Sequence, residues 1–327
     1  MSSIPDSDRA TRARFRPDLN EYIADWFLTP AARSDVVDIV LEPPCACGNC
    51  LGEIFRTTRY HNVYGPVHWG GITLASYEGW PRLVTADRAT EEEHAILVAM
   101  SENEGKMDAV QSYDSEILTA GAMQKTINPE GAGEFPKQVL EFKDEHPKLY
   151  DALFSKCGWE VSADKEPVMS YKGQTGAALK KLIRNGFDED GFQARISKQS
   201  KPLAAIVHAI STEEFQDKQV EDFIHRLRGV MSLKPQGSTD HTIGDYTKSR
   251  FGKAVVLDQH VNRPAYVSRD FAKALTRFHI EISDAPKDPR QWGSQHPAYE
   301  LKLLDIYGEL RRMTDSEKRF SALRKKL

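Results

Sequence analysis

From Thr90 onward most of the chain has the apolar spacing of amphipathic helices, and this feature constrains the fold more than any other. The first helix is expected to begin at the segment TEEE, where Thr90 is the N-cap and Glu93 closes a capping box. The run HAILVAMSENE follows and is apolar nearly all round, which is typical of a buried helix. Gly105 is the expected stop. The sequence therefore predicts a mainly α domain.

Further stretches with helical spacing follow Gly105, and an irregular region separates them from the first helix. We therefore predict the fold class as mainly α (α+β), with a small β or loop insert beside a cleft. The helical stretches are FPKQVLEFKDEHPKLYDALFSKC, GAALKKLIRNG, KPLAAIVHAIST, EEFQDKQVEDFIHRLRGVM, FGKAVVLDQHV, SRDFAKALTRFHIEI and PAYELKLLDIYGELRRM.

Residues 1–88 have a different pattern from the rest of the chain. The segment YIADWFLTPAARSDVVDIVLEP reads as a helix followed by a strand, and HNVYGPVHWGGITLASYEGWPRLV reads as turns with short strands. We therefore predict a small N-terminal module over 1–88, which would serve for targeting, loading or wall binding, and a helical domain over 89–327.

Composition limits the classes of partner. The 327 residues carry a formal net charge of −4, which gives no reason to expect nucleic acid or an anionic membrane as partner. No apolar stretch reaches the ~20 residues of a membrane span. The first residues lack the apolar centre of a secretory signal, so we expect synthesis in the cytoplasm without a signal peptide. Work outside the cytoplasm would then need another export route or lysis.

Cysteines cluster near one end of the chain. Cys45, Cys47 and Cys50 lie in PPCACGNC, and Cys157 stands apart. With His61 (or His68) the cluster could form a Cys3His zinc site, although it lacks the usual paired knuckles. A disulfide and simple reduced loop cysteines remain the alternatives.

An acid-rich segment follows the first helix. Glu102 and Glu104 lie at the expected helix end, at the edge of the core, and Asp114 follows on an irregular stretch where we expect it to be solvated. A protonated acid and an ionised carboxylate in different environments are what glycoside hydrolysis needs. The small residues from Thr119 to Gly121 would let backbone approach a sugar, and Gln124 could bind it. On the pattern alone, ordinary surface-loop acids remain the alternative.

The segment EGKMDAVQSYDSEILTAGAMQ resembles the catalytic region of the lysozyme superfamily. SEN and DSEILTAG are similar to the chitosanase-like branch, in which Glu is the general acid, Asp the general base, and Thr holds the attacking water. The resemblance implies an inverting reaction, with Asp114 and Thr119 in the last two roles and no cofactor. It also implies a lysozyme-like domain over 89–327.

The segment departs from the chitosanase-like pattern, because its Glu-to-Asp stretch is shorter and lacks Asp-Gly-x-Gly. It looks more like the Asn-Glu-Gly…Tyr-Asp version in phage and bacterial peptidoglycan-degrading proteins of the superfamily. Either Glu102 or Glu104 could be the acid. The NEG context and the helical wheel, which puts Glu104 nearer the apolar stripe, favour Glu104.

The expected substrate-binding residues are Tyr113, Gly121 and Gln124. A second similarity to wall hydrolases lies in YTKSRFGKAVVLDQHVNRPAYV, where Asn262 and Arg263 could line the cleft. In the simpler interpretation this segment is a core helix whose Asp258 and Arg263 make structural hydrogen bonds or a salt bridge.

These observations predict a muramidase-like glycoside hydrolase that cleaves peptidoglycan glycan strands in the cell wall. It would be a phage lysis or tail protein or a secreted antibacterial effector, with an immunity protein or a secretion or tail component as partner. The alternatives are a chitosanase-type polysaccharide hydrolase and a non-catalytic wall-binding protein with the same fold.

Overall fold

The computed structural model describes residues 50, 54–60, 63–163, 165–185 and 197–327, which form two compact units. Unit 1 contains the described residues up to Thr73 together with Glu104–Gln219, and unit 2 contains Leu74–Asn103 and Val220–Leu327. The predicted division of the chain between residues 88 and 89 stays a prediction. Within unit 1, one sheet pairs a strand before residue 73 with strands after residue 104.

The described strands all lie in unit 1. They are β1 (Ile54–Tyr60), β2 (Val63–His68), β3 (Val110–Gln111), β4 (Leu118–Ala120), β5 (Lys125–Ile127), β6 (Trp159–Ser162), β7 (Val168–Tyr171) and β8 (Ser197–Gln199). β6 and β7 form a separate hairpin, and the other six form an antiparallel sheet in the order β5-β4-β3-β2-β1-β8.

The described part of the chain is mainly helical with a small antiparallel sheet, so the predicted mainly α, α+β class is confirmed. Among the described residues, none of the helices combines the length and the apolar character needed to cross a membrane. In chain order the helices are α1 (Trp80–Thr85), α2 (Glu91–Met100), α3 (Glu134–Glu145), α4 (Pro147–Leu153), α5 (Gly176–Arg184), α6 (Lys201–Ile210), α7 (Glu213–Ser232), α8 (Ile243–Tyr246), α9 (Arg250–Asn262), α10 (Val267–Glu281), α11 (His296–Leu310) and α12 (Ser316–Lys326).

Helix α2 begins as the sequence predicts. The Thr90 hydroxyl accepts a hydrogen bond from the Glu93 backbone N–H at 3.2 Å, and the Glu93 carboxylate accepts from the Thr90 N–H at 2.9 Å. Its apolar residues Ile96, Leu97 and Met100 are fully buried. The helix is followed by a 3-10 turn at Ser101–Asn103, where the acidic segment begins.

Two local predictions are wrong. The segment from 135 to 157, predicted as one helix, is broken into α3 and α4 because Pro147 has no N–H to donate and disfavours helical geometry at His146. His146 accordingly has φ −133° and ψ 61°. The stretch around Trp80, predicted as turns and strands, forms α1 instead, with Pro81 in its first turn where a missing N–H costs nothing.

The core of unit 1 is aromatic. Phe142 packs against Phe215 with ring centroids 4.9 Å apart, and Phe154 lies 5.8 Å from Phe215. All three rings are fully buried. They join α3 and α4 to the start of α7 in one buried cluster that also includes residues of β3, β4 and β5.

Glu93 links the stability of unit 2 to pH. Burial raises the pKa of Glu93, but hydrogen bonds from Arg228 and Thr90 outweigh burial, and the net pKa is lowered. A lowered carboxyl pKa contributes stability above the unfolded value of about 4.3, and that stability is lost as pH falls through the folded pKa.

We therefore expect the free energy of unfolding of Glu93→Gln to fall less than that of the wild type as pH is lowered from about 6 to about 3. Denaturant titrations of both proteins at several pH values measure the difference. If the free energies of unfolding of the two proteins changed in parallel with pH, Glu93 would not link stability to pH.

Candidate active site

Two neighbouring glutamates follow helix α2 in different environments. Glu102 lies in the 3-10 turn of unit 2, its side chain is 76% exposed, and its carboxylate pairs with Lys326 Nζ at 2.9 Å. Glu104 is the first residue of the second segment of unit 1 and is only 2% exposed. The buried position distinguishes Glu104 from its neighbour, and the preference for Glu104 as the acid stays a prediction.

Asp114 lies on the turn between β3 and β4 and is 6% exposed, so the expectation that it is solvated is wrong. Its Oδ1 accepts the backbone N–H of Glu116 at 3.0 Å, which closes an Asx turn. Two side chains of α5, Lys180 and Arg184, donate hydrogen bonds to this turn. Both carboxylates that the sequence singles out in unit 1 are therefore buried.

Arg184, at the end of α5, fixes this turn. Its guanidinium donates to the carbonyl oxygen of Asp114 at 2.5 Å, to that of Glu116 at 3.3 Å and to the Ser112 hydroxyl at 3.3 Å. A planar group that binds three points of one turn holds it in a single conformation. The sequence analysis did not identify Arg184, because its partners lie about 70 residues away along the chain.

Lys180 adds a second cation from α5. Its Nζ donates to the carbonyl oxygen of Ser115 at 2.5 Å. Burial lowers the pKa of Lys180, the charge of Arg184 lowers it further, and the charges of Asp114 and Glu116 oppose both effects. Asp114 therefore lies within the electrostatic range of a lysine whose proton it helps to retain.

Thr119 on β4 faces Gln111 on β3 in direct register. Each residue is 1% exposed. The Thr119 hydroxyl and both polar atoms of the Gln111 side-chain amide have no hydrogen-bond partner among the described residues. A buried polar group without a partner costs about 1–3 kcal/mol, so this pair is suited to binding a polar ligand or water.

Gln124 continues this group of buried polar side chains. It is 6% exposed, and its Oε1 also has no hydrogen-bond partner within the described part of the chain. Gln124 and Met123 have φ of 52° and 59°, backbone values that residues other than glycine rarely adopt. Backbone strain of this kind clusters at functional sites. We name Gln111, Thr119 and Gln124 the polar trio.

Gln219 on α7 supports the strained segment. Its Oε1 accepts the Ala122 N–H at 2.9 Å, and its Nε2 donates to the carbonyl oxygens of Met107 at 3.0 Å and Ile210 at 3.1 Å. A Cβ on Gly121 would lie 2.3 Å from Gln219 Oε1, so glycine is required here for packing. The predicted role of Gly121, to let a sugar approach the backbone, stays a prediction.

Tyr113 precedes Asp114 and is 3% exposed. Its ring lies 6.5 Å from that of Trp69, measured between centroids, and the two planes are tilted by 53°. The contact joins the β3–β4 turn to the segment after β2 and gives Tyr113 a packing role. Its predicted role in binding substrate is untested.

Asn262 and Arg263, predicted to line the cleft, belong to unit 2, at the end of α9. Asn262 Oδ1 accepts the Thr314 N–H at 3.4 Å, which is a structural contact. Their role in substrate binding remains a prediction. In the same helix, Asp258 pairs with Arg311 at 2.9 Å and with Arg319, as the simpler interpretation of this segment expects.

The predicted Cys3His zinc site falls largely outside the described residues, since Cys45, Cys47 and His61 are not among them. Within the described part of the chain, no group of three or more His, Cys, Asp or Glu side chains could hold a metal ion. Cys50 is described and buried, and its Sγ lies 3.3 Å from that of Cys157.

Searches of family models, curated proteins and solved structures find no match to this chain. The likeness to the lysozyme superfamily therefore rests on the quoted residues alone. What the geometry offers chemically is a buried glutamate, a buried aspartate on a braced turn, and three buried side chains with unused hydrogen-bonding capacity, all in unit 1.

Proposed function

We propose that this protein hydrolyses glycosidic bonds in peptidoglycan, with Glu104 as general acid and Asp114 as general base. The observation that carries the proposal is the polar trio. Thr119 and Gln124 are the residues that the resemblance and the sequence pattern assign to water and sugar, and both have buried polar atoms without a partner among the described residues. Such atoms in a packed sheet are costly unless a ligand or water uses them.

The proposed reaction divides the work between two carboxyl groups. Glu104 gives its proton to the leaving glycosidic oxygen, and Asp114 takes a proton from the attacking water on the opposite face of the sugar. Burial disfavours the charged form of a carboxyl group in general, which suits a proton donor. Inversion of this kind requires about 6.5–9.5 Å between the two carboxyl groups, to leave room for the water.

The polar trio supports a carbohydrate substrate in particular. The Thr119 hydroxyl can accept from and donate to the attacking water. Gln111 offers two N–H donors and an acceptor, and Gln124 offers an acceptor, which match sugar hydroxyls and N-acetyl amides. Gln111 is an addition to the sequence-based set. Its signal was its place opposite Thr119, which depends on strand register.

The substrate class is tested with purified peptidoglycan and with chitosan, using release of reducing sugar as the readout. We expect release from peptidoglycan. Release from chitosan alone would favour the chitosanase-type alternative. Binding to peptidoglycan with no release from either polymer would favour the non-catalytic alternative. In the setting that we propose, the protein acts on the cell wall as a phage lysis or tail protein or as a secreted effector with an immunity partner.

Thr119→Val separates a functional hydroxyl from a structural one. Valine keeps the shape but removes a hydroxyl that has no partner among the described residues, so we expect stability to be unchanged or raised. The rate of glycan cleavage should fall about tenfold or more, since a water-positioning hydrogen bond of about 1.4 kcal/mol is lost. Thermal unfolding and reducing-sugar release measure the two quantities.

The control is Thr119→Ser, which retains the hydroxyl and should retain most of the activity. A valine variant that loses stability while its cleavage rate stays at the wild-type level would show that the hydroxyl is structural.

A further inference from the structure

The burial of Asp114 puts the proposed base in an environment that opposes its role. A general base must be ionised when the water attacks, and Asp114 is only 6% exposed. Burial of a carboxyl group favours its neutral, protonated form. A base at this position therefore needs positive charge or hydrogen-bond donors around it that favour the carboxylate.

Helix α5 brings two cations to the turn that carries Asp114. Lys180 and Arg184 are four residues apart, so both side chains project from one face of the helix. Arg184 donates to the carbonyl oxygen of Asp114, and Lys180 donates to that of Ser115, each at 2.5 Å. Two successive peptide groups of the turn are therefore each bound by a positively charged side chain.

The electrostatic interaction between Lys180 and Asp114 acts on both groups. Burial lowers the pKa of Lys180, the charge of Arg184 lowers it further, and the charges of Asp114 and Glu116 raise it. Because an interaction between two charges is mutual, the ammonium group of Lys180 favours the ionised form of Asp114.

Glu116, on the same turn, acts on Asp114 in two opposite ways. Its carboxylate is a like charge, which disfavours the ionised form of Asp114. Its backbone N–H donates to Asp114 Oδ1 at 3.0 Å, and a hydrogen bond to a carboxylate favours the ionised form. The two cations of α5 therefore add to the backbone donor and oppose the nearby acid.

We propose that Lys180 and Arg184 hold Asp114 in the ionised form that activates water, and that Lys180 sets the lower pH limit of cleavage. This inference rests on the proposed function, in which Asp114 is the base. Both side chains act through Asp114 and its turn, so they are positioning residues. Their charge takes the place of the solvation that the sequence analysis expected for Asp114.

The first test compares the pH profile of Lys180→Met with that of the wild type. Methionine keeps the apolar part of the side chain and removes the charge. We expect the acid limb of kcat/KM for glycan cleavage to move to higher pH by about one unit, which is about a tenfold loss of rate on that limb. The rate on the plateau above it should change little.

Two further variants separate charge from structure. Lys180→Arg keeps the charge and should keep the wild-type profile. Lys181→Met is the matched control, because Lys181 is the next residue of α5 and is exposed. It should also keep the wild-type profile. An acid limb that moves as far in Lys181→Met as in Lys180→Met would overturn the proposal.

Titration of the Asp114 carboxyl carbon by NMR tests the interaction without any cleavage. In protein labelled with carbon-13 aspartate, the signal is identified as the one missing from Asp114→Asn. Its titration midpoint should lie at higher pH in Lys180→Met than in the wild type. Equal midpoints would overturn the proposal. A shifted midpoint in a protein that cleaves no glycan would support the interaction and reject the proposed function alone.

Discussion

Glu104→Gln is expected to reduce glycan cleavage by about 10²- to 10⁴-fold, the usual contribution of a general acid. The amide keeps the size of the carboxyl group but has no acidic proton to give to the leaving oxygen. Glu104 is 2% exposed, so its substitution acts within a packed environment. The release of labelled fragments from peptidoglycan measures the rate, and circular dichroism confirms that the variant is folded.

Glu102→Gln is the matched control, because Glu102 lies two residues away and differs in environment. Its carboxylate is exposed and pairs with Lys326 at the surface, a type of contact that contributes about 0–1 kcal/mol. We expect near wild-type cleavage. A large loss in Glu102→Gln together with an active Glu104→Gln would reverse the assignment of the acid.

The second large effect concerns stability rather than chemistry. Asp258→Asn should destabilise unit 2 by about 3–5 kcal/mol, since it leaves a buried guanidinium without its counter-charge. The side chains of Asp258 and Arg311 are both 0% exposed, and Arg311 Nη1 lies 2.9 Å from Asp258 Oδ2. Burial lowers the pKa of Arg311, and the charge of Asp258 opposes this effect.

Hydrogen exchange measured by mass spectrometry reports this loss for unit 2 separately from unit 1, through peptides from α9 and α11. Asp305→Asn is the control: it removes an exposed pair with Arg324, in which both side chains are more than 40% exposed. That substitution should cost less than about 1 kcal/mol. Equal and small effects of the two substitutions would contradict the account of the buried pair.

The features of the fold that could be predicted from sequence are local ones. The capping box at Thr90 and Glu93 and the apolar run of α2 involve residues a few positions apart, and both are confirmed. The sheet could not be predicted in the same way. β3 has two residues, too few to show alternation, and it pairs with β2, where Val67 faces Gln111.

In the candidate site, too, contacts between distant segments could not be predicted from the sequence. Helical spacing indicates that Glu104 lies nearer the core than Glu102, and the structure buries Glu104 and exposes Glu102. Which of the two is the acid stays a prediction. Arg184 and Gln219 were missed, because nothing local marks a side chain that braces a turn 70 or 97 residues away. The meeting of Cys50 with Cys157 is likewise a product of tertiary packing.

In the proposed mechanism, Asp114 activates water for attack while Glu104 protonates the leaving oxygen. Mass analysis of the new glycan ends that the wild type and Asp114→Asn release from purified peptidoglycan tests both roles at once. We expect wild-type products with reducing ends that have gained one water, and almost none from Asp114→Asn. Wild-type products with anhydro ends, or equal amounts of hydrolysed ends from both proteins, would rule this mechanism out.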